Sequence, residues 1–447
     1  MKKKILSIFC LLFVTFAFGQ PYTSYFIGDT TDVTTITTFG TCLMGGATED
    51  DNAMKWLLQK SGGGDIVVLR ATGSNGYNSY LYSSLGITAN SVETLVIPSV
   101  AAANDPYIKK QIRNAEAIFI AGGNQANYIN FWKNTAVDTA LNYLINVKKV
   151  PIGGTSAGMM VLGQNYYSAL GSSITSAQAL ANPYNTNITL GSNNFLFNPF
   201  LKRTITDTHF DNPDRRGRLV AFLARYTVDS AAPQLAIACD EYTAVCIDET
   251  GLAKVFGGYP TYDDNAYFVA TNCDIINKTP ETCLPNTALN WSKNNAALKV
   301  YRIKGTSTAN NSFNVNDFKT ATGGTWQYWF VNNGVFGIDS TTATAPICAS
   351  VLAIKNDDKN SNVSASNKND EIVIYPNPFI NIINLQLQKN ITQINIYNTL
   401  GMIIQQQKFH FQEGNTSFKM NDIKSKFYVV EIVYRTGKRM FKKLVKQ

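Results

Sequence analysis

The chain has 447 residues, of which 45% are hydrophobic and 16% charged, with a formal net charge of +8 and two histidines. The apolar content is too high for a disordered chain, and the length calls for two or three packed units. No interior run reaches the roughly 18 apolar residues that a membrane-spanning helix needs, and two histidines exclude a histidine-rich metal site.

Lys2, Lys3 and Lys4 precede an apolar run from Ile5 to Phe18, and the small residues Ala17 and Gly19 suit a signal peptidase. Residues 1–19 therefore read as a secretory signal, cut before Gln20. The run is about 14 residues long, short for an anchor helix. Export bears on the cysteines. Cys10 lies in the signal, which leaves Cys42, Cys239, Cys246, Cys273, Cys283 and Cys348. An even number in an exported chain suggests disulfides. Cys273 and Cys283 are the best local pair. Cys239 and Cys246 are either a pair across a hairpin or two small buried hydrophobes.

Residues 20–348 read as one folded segment. Gly64-Asp65-Ile66-Val67-Val68-Leu69, Ala117-Ile118-Phe119-Ile120-Ala121 and Val150-Pro151-Ile152 are short apolar strands, with helical stretches such as Thr135 to Val147 between them. Strands alternating with helices imply a parallel sheet covered on both faces, with sites at the carboxyl ends of the strands. The third strand runs into Gly154-Thr155-Ser156-Ala157-Gly158, a G-x-S-x-G at a strand-to-helix junction. Such a turn exposes a serine oxygen and tolerates only small neighbours, which makes Ser156 a candidate nucleophile. A serine nucleophile needs a base. His410 lies in the C-terminal segment, so His209 is the candidate, in Thr206-Asp207-Thr208-His209-Phe210 and followed by Arg215, Arg216 and Arg218. From about residue 262 to 345, aromatic residues including Trp291, Trp326, Tyr328, Trp329 and Phe330 point to an appended β-rich layer, read as core rather than as a ligand platform.

Residues 349–370 are polar and read as a linker. From 371 to 447, short alternating runs such as Ile382 to Leu387 and Ile391 to Tyr397 suit a small antiparallel β-sandwich. This segment holds eleven Lys or Arg against four Asp or Glu. The basic balance of the chain thus comes from its tail and gives no reason to expect nucleic-acid binding by the main segment.

Three motifs occur in order: Gly122-Gly123-Asn124-Gln125, Gly154-Thr155-Ser156-Ala157-Gly158, and Asp207-Thr208-His209-Phe210 running on to Gly217-Arg218-Leu219. Over roughly residues 40 to 260 the chain resembles the cyanophycinase-like serine peptidases. The resemblance implies an α/β fold of the class I glutamine amidotransferase-like type, with a parallel sheet flanked by helices. It implies Ser156 as nucleophile, His209 as general base, and the backbone N–H groups of Gly123 and Ala157 as oxyanion hole. It also implies Gln125, Arg215 and Arg218 as substrate-binding groups. The family's histidine motif carries arginines four, six and nine positions after the histidine. Here those positions hold Pro213, Arg215 and Arg218, and Arg216 is the candidate replacement. The family also implies an acid between nucleophile and histidine, yet residues 157–206 contain no Asp or Glu. Gln178 is the expected occupant of that place, with Asp207 as a substitute, then Asp240 or Glu241.

Tyr375-Pro376-Asn377-Pro378-Phe379, Ile394-Asn395-Ile396-Tyr397-Asn398, Gly401, Tyr428-Val429-Val430 and the basic end resemble the C-terminal sorting domain of the type IX secretion system of Bacteroidetes. That resemblance implies passage through the outer membrane, then release or surface attachment. The expectation is a secreted serine exopeptidase, without metal or cofactor, acting on an aspartyl-linked peptide or a cyanophycin-like substrate. The resemblance leaves room for a homodimer. The competing expectation is a surface binding protein that kept the cleft and lost the chemistry.

Overall fold

The structure is a computed structural model that describes residues 19–230 and 232–348. Of the C-terminal part it describes 374–375, 381–387, 391–397, 403–409, 414–420, 427–434 and 439–446. The expected signal (but for Gly19), the expected linker, His410, Gly401 and residues 376–379 of the tail motif lie outside the described residues. The chain forms two compact units, Met1–Lys355 and Asn356–Gln447.

The strands of the first unit are β1 (Thr23–Gly28), β2 (Thr41–Met44), β3 (Asp65–Arg70), β4 (Ser91–Val96), β5 (Ala117–Ile120), β6 (Ile152–Thr155), β7 (Asn165–Tyr167), β8 (Leu190–Ser192) and β9 (Thr204–Asp207). They continue as β10 (Leu235–Cys239), β11 (Ala244–Ile247), β12 (Leu252–Phe256), β13 (Asn265–Thr271), β14 (Leu298–Lys304), β15 (Ser312–Asn314), β16 (Ala321–Thr322), β17 (Gly324–Asn332) and β18 (Val335–Asp339). One sheet runs β1-β4-β3-β5-β6-β2-β11-β12-β15-β16. Its centre, β4-β3-β5-β6-β2, is parallel, and the flanking strands are antiparallel. The second sheet runs β18-β17-β14-β13-β10-β9-β7-β8, with β9 and β10 parallel. The central strands are continuous apolar runs because both of their faces are covered; Ile118, Phe119 and Ile120 are fully buried.

The β-rich region expected from about residue 262 is present as β13–β18. It does not stand apart. β15 and β16 extend the first sheet, and β13, β14, β17 and β18 extend the second. Of the aromatic residues singled out, Trp291 and Trp329 are core, while Trp326, Tyr328 and Phe330 are half-buried. Trp291 and Trp329 are fully buried, and Trp329 packs against Phe210, Tyr267 and Phe336. Phe210 follows His209 in sequence, so this cluster anchors the segment that carries the histidine.

Neither local pair forms, and Cys239 and Cys246 take the alternative reading, as small buried side chains. Cys273 is bonded to Cys348, while Cys42, Cys239, Cys246 and Cys283 are buried thiols. Cys239 and Cys246 do not face each other across a hairpin because β10 and β11 enter different sheets; Cys246 lies opposite Cys42 instead. Cys283 is taken into the aromatic core around Trp291 and Trp329. The disulfide belongs to a clasp. Asp274 accepts the N–H groups of Ile347 and Cys348, each at 3.0 Å, and pairs with the buried Lys299 at 2.6 Å.

In the second unit, Ile374–Tyr375, Ile382–Leu387 and Gly414–Lys419 make one antiparallel sheet, and four further strands from Ile391 to Val445 make another. Ile383, Leu385, Ile394, Phe418, Tyr428 and Ile432 form its core.

Trp329→Ala would remove the largest ring beneath Phe210. The expected cost is about 3–5 kcal/mol of unfolding free energy, to be measured by urea denaturation. A cost below about 1 kcal/mol, within the range of ordinary surface substitutions, would contradict the assignment of this cluster as core.

Candidate active site

Ser156 ends β6 on a bend with φ 50° and ψ −120°, immediately before the short helix Ala157–Met160. The glycines around it are required by close approach. A Cβ at Gly158 would lie 2.0 Å from the carbonyl oxygen of Ile120, and one at Gly154 would lie 2.6 Å from the carbonyl carbon of Gly158. The bend is fixed by the Ser156 N–H, which donates to Met44 O at 3.1 Å.

His209 follows β9 with φ 47°. Its N–H donates to Gly45 O at 2.8 Å. Its ring lies on Gly46, where φ is +104° and a Cβ would sit 2.4 Å from Nε2. Nε2 is 2.9 Å from Ser156 Oγ. Nδ1 is 2.6 Å from Glu241 Oε1. One tautomer satisfies both contacts, with Nδ1–H donating to the carboxylate and Nε2 accepting the serine proton.

Glu241 lies just past β10. Because β9 and β10 are parallel neighbours, with Asp207 opposite Ala238, the segments that carry His209 and Glu241 leave the sheet side by side. The Glu241 N–H donates to Asp211 Oδ1 at 2.9 Å, which holds the turn in place.

The residues first expected to support the histidine are engaged elsewhere. Gln178 closes a capping box at the helix Ser176–Ala181, where its Oε1 accepts from the N–H of Thr175 at 3.1 Å. Asp207 is fully buried and binds Arg218 through two oxygens, one at 3.0 Å to Nε, and accepts from the N–H of Thr208 at 2.8 Å. The carboxylate at Nδ1 belongs to Glu241, which ranked behind both in the sequence. The signal that identifies it is the acidic pair Asp240-Glu241 directly after a buried strand adjacent to the one bearing His209.

A cavity of about 620 Å³ opens over Ser156 and His209. Gly123 and Ala157 line it beside the serine, and Gln125 lies on the adjoining wall with Asn124, Asn127 and Asn130. The three arginines divide. Arg218 reaches the cavity but is charge-paired with Asp207. Arg216 is not among the lining residues, because it turns to Asp214 with contacts of 2.8 and 2.7 Å. Arg215 lines the cavity and donates from Nη1 to Thr208 O at 2.9 Å. Among the described residues no carboxylate pairs with it. Burial, then the neighbouring Arg218 charge, pulls its pKa down. Among the described residues no Asp or Glu lines the cavity, so an anionic group entering it meets the Arg215 guanidinium.

Residues 74–255 match the model of Peptidase family S51, and residues 373–447 match the secretion system C-terminal sorting domain. Cyanophycinase of Nostoc sp. is 26% identical over 185 residues, covering 41% of this chain and 57% of that protein. Cyanophycinase of Geminocystis herdmanii is 24% identical over 193 residues, covering 43% and 64%. The chain thus spans about three fifths of the length of the curated relatives it matches. Among solved structures, a peptidase from an acI-B1 Actinobacterium is 16% identical with a TM-score of 0.36, covering 52% of this chain and 91% of that one. A putative peptidase E protein from Listeria monocytogenes is 15% identical with a TM-score of 0.32, covering 50% and 100%. The sorting domain indicates type IX export, to the cell surface or into the medium. Residues 74–255 are thus similar to Peptidase family S51, and the segment that follows them is similar to a secretion-system sorting domain.

Proposed function

We propose that the protein is an exported serine exopeptidase that cleaves an amide next to an aspartyl or similar acidic residue. The observation that carries this reading is the continuous hydrogen-bonded chain from Ser156 Oγ through His209 to Glu241, at 2.9 and 2.6 Å, opening on the cavity. In the first step His209 Nε2 takes the Ser156 proton as Oγ attacks the carbonyl carbon. Glu241 stabilises the imidazolium that forms and holds the ring in the correct tautomer. The backbone N–H groups of Gly123 and Ala157 receive the developing oxyanion. His209 then gives its proton to the leaving nitrogen, and a water molecule repeats the sequence on the acyl-enzyme. Arg215 receives the acidic side chain or terminal carboxylate of the substrate, for which its planar guanidinium is suited. A cyanophycin-like polymer and β-aspartyl dipeptides are the substrates to try first.

Ser156→Ala should abolish turnover and covalent labelling by a fluorophosphonate probe. A wild-type protein that takes no label and releases no product would favour the binding-protein reading. Glu241→Gln should lower kcat by about 10³–10⁴, the scale of a wrong-tautomer defect. Gln178→Ala should leave kcat within about threefold, as a lost helix cap does nothing to the ring. Equal losses in these two variants would remove Glu241 from the mechanism.

Arg215→Gln should raise KM for an acidic substrate by about 10–100-fold, the worth of a charge-assisted hydrogen bond. Arg216→Ala should change KM little. The reverse ranking in steady-state kinetics would move substrate recognition to Arg216.

A further inference from the structure

Asp240 precedes Glu241 and takes no part in the proton relay. It is 2% exposed. Its carboxyl is clipped to Asn265, with Oδ2 accepting from Asn265 Nδ2 at 2.8 Å and from the Asn265 N–H at 3.1 Å. Its own N–H donates to Asn265 O at 2.9 Å, and its carbonyl accepts from the Thr243 N–H at 3.3 Å. The turn it opens is packed hard against the loop after β2. A Cβ at Gly45 would fall 1.8 Å from Asp240 O, and the Tyr242 N–H donates to Gly46 O at 3.1 Å. Gly46 is the residue under the His209 ring. Asp240 thus anchors the turn that carries Glu241 to the imidazole.

The charge on this anchor is the unusual part. The ionisable groups around it are Asp211 and Arg216 on the segment after His209, Tyr267 on β13, Lys304 on β14 and the Cys239 thiol on β10. Arg216 is committed to Asp214 and Lys304 to Asp263. Among the described residues no cation pairs with Asp240. Its Oδ1 is buried without a partner, and so is Oδ1 of Asn265. A buried carboxylate with no cation is costly. A proton on Asp240 Oδ1 removes the charge and turns one orphaned acceptor into a donor, beside a residue whose own acceptor lacks one.

We propose that Asp240 is a positioning residue, which in its neutral form, clipped to Asn265, holds the turn that presents Glu241 to His209. This rests on the reading of Ser156, His209 and Glu241 as the catalytic array. Burial pushes the Asp240 carboxyl up to about 7. The unfolded chain has the ordinary carboxyl value near 3.8. The native state therefore holds the proton more tightly, and stability falls as pH rises from about 4 to about 7.

The test uses the full chain. Its two histidines make NMR of histidine-labelled protein simple, with His410→Gln for assignment. The readouts are the downfield proton on His209 Nδ1, kcat and KM, and the melting temperature as a function of pH. Asp240→Ala is expected to lose the downfield proton and to lower kcat about a hundredfold with KM little changed, as a displacement of about 1 Å does. Asp240→Asn, neutral and isosteric, is expected to restore the downfield proton and to flatten the fall in melting temperature between about pH 4 and 7. If Asp240→Ala keeps the downfield proton, the positioning role is overturned. If Asp240→Asn lacks it, the neutral form is overturned, and this variant decides the matter should Asp240→Ala fail to fold. The NMR readout needs no turnover. A wild type that shows the downfield proton but cleaves nothing would sink the peptidase reading and leave this one standing.

Discussion

The contact between Ser156 Oγ and His209 Nε2 spans the seam between two sheets. β6, in the ten-stranded sheet, delivers the hydroxyl, while β9 and β10, in the eight-stranded sheet, deliver the ring and its carboxylate. Neither sheet holds a working set alone. The seam is held by the loop after β2, the strand beside β6. Gly45 O accepts the His209 N–H, Gly45 N–H donates to Thr243 O, and Gly46 O accepts the Tyr242 N–H. One short glycine pair thus ties both halves together, and the room it leaves is filled by the imidazole and the turn at Asp240. Side chains at Gly45 or Gly46 would push the sheets apart where Ser156 Oγ meets His209 Nε2.

The cavity's electrostatics follow from the same packing. Three arginines stand close together in sequence, yet burial sorts them. Arg218, in the helix Arg216–Ser230, is neutralised by Asp207, Arg216 turns to Asp214, and Arg215 lines the cavity with no paired carboxylate among the described residues. Positive potential in a cavity with no carboxylate among its described lining residues favours an anionic ligand.

Much of this was legible in the sequence. The apolar runs of β3 and β5 announced buried parallel strands because both faces of such strands are covered. Ser156 stood out because few turns need glycine on both sides of a serine, and His209 because there was one alternative. Glu241 was harder to see. Its place depends on β9 and β10 lying side by side, a pairing across about thirty residues that no local pattern reports. Gln178 was read as a triad substitute although Thr175-Ser176-Ala177-Gln178 is a capping-box sequence, and the local rule prevailed. The sequence left Cys239 and Cys246 open between a hairpin pair and two buried thiols, because sequence distance does not show that two consecutive strands enter different sheets.

The clasp at Cys273 and Cys348 has a bearing on the tail. It ties the last described stretch of the first unit back to β13 through a covalent bond, two backbone hydrogen bonds to Asp274 and the buried ammonium of Lys299. Any scission of the polypeptide beyond Cys348 would therefore leave that end fastened, so the sorting segment could be shed without loosening the scaffold behind the serine.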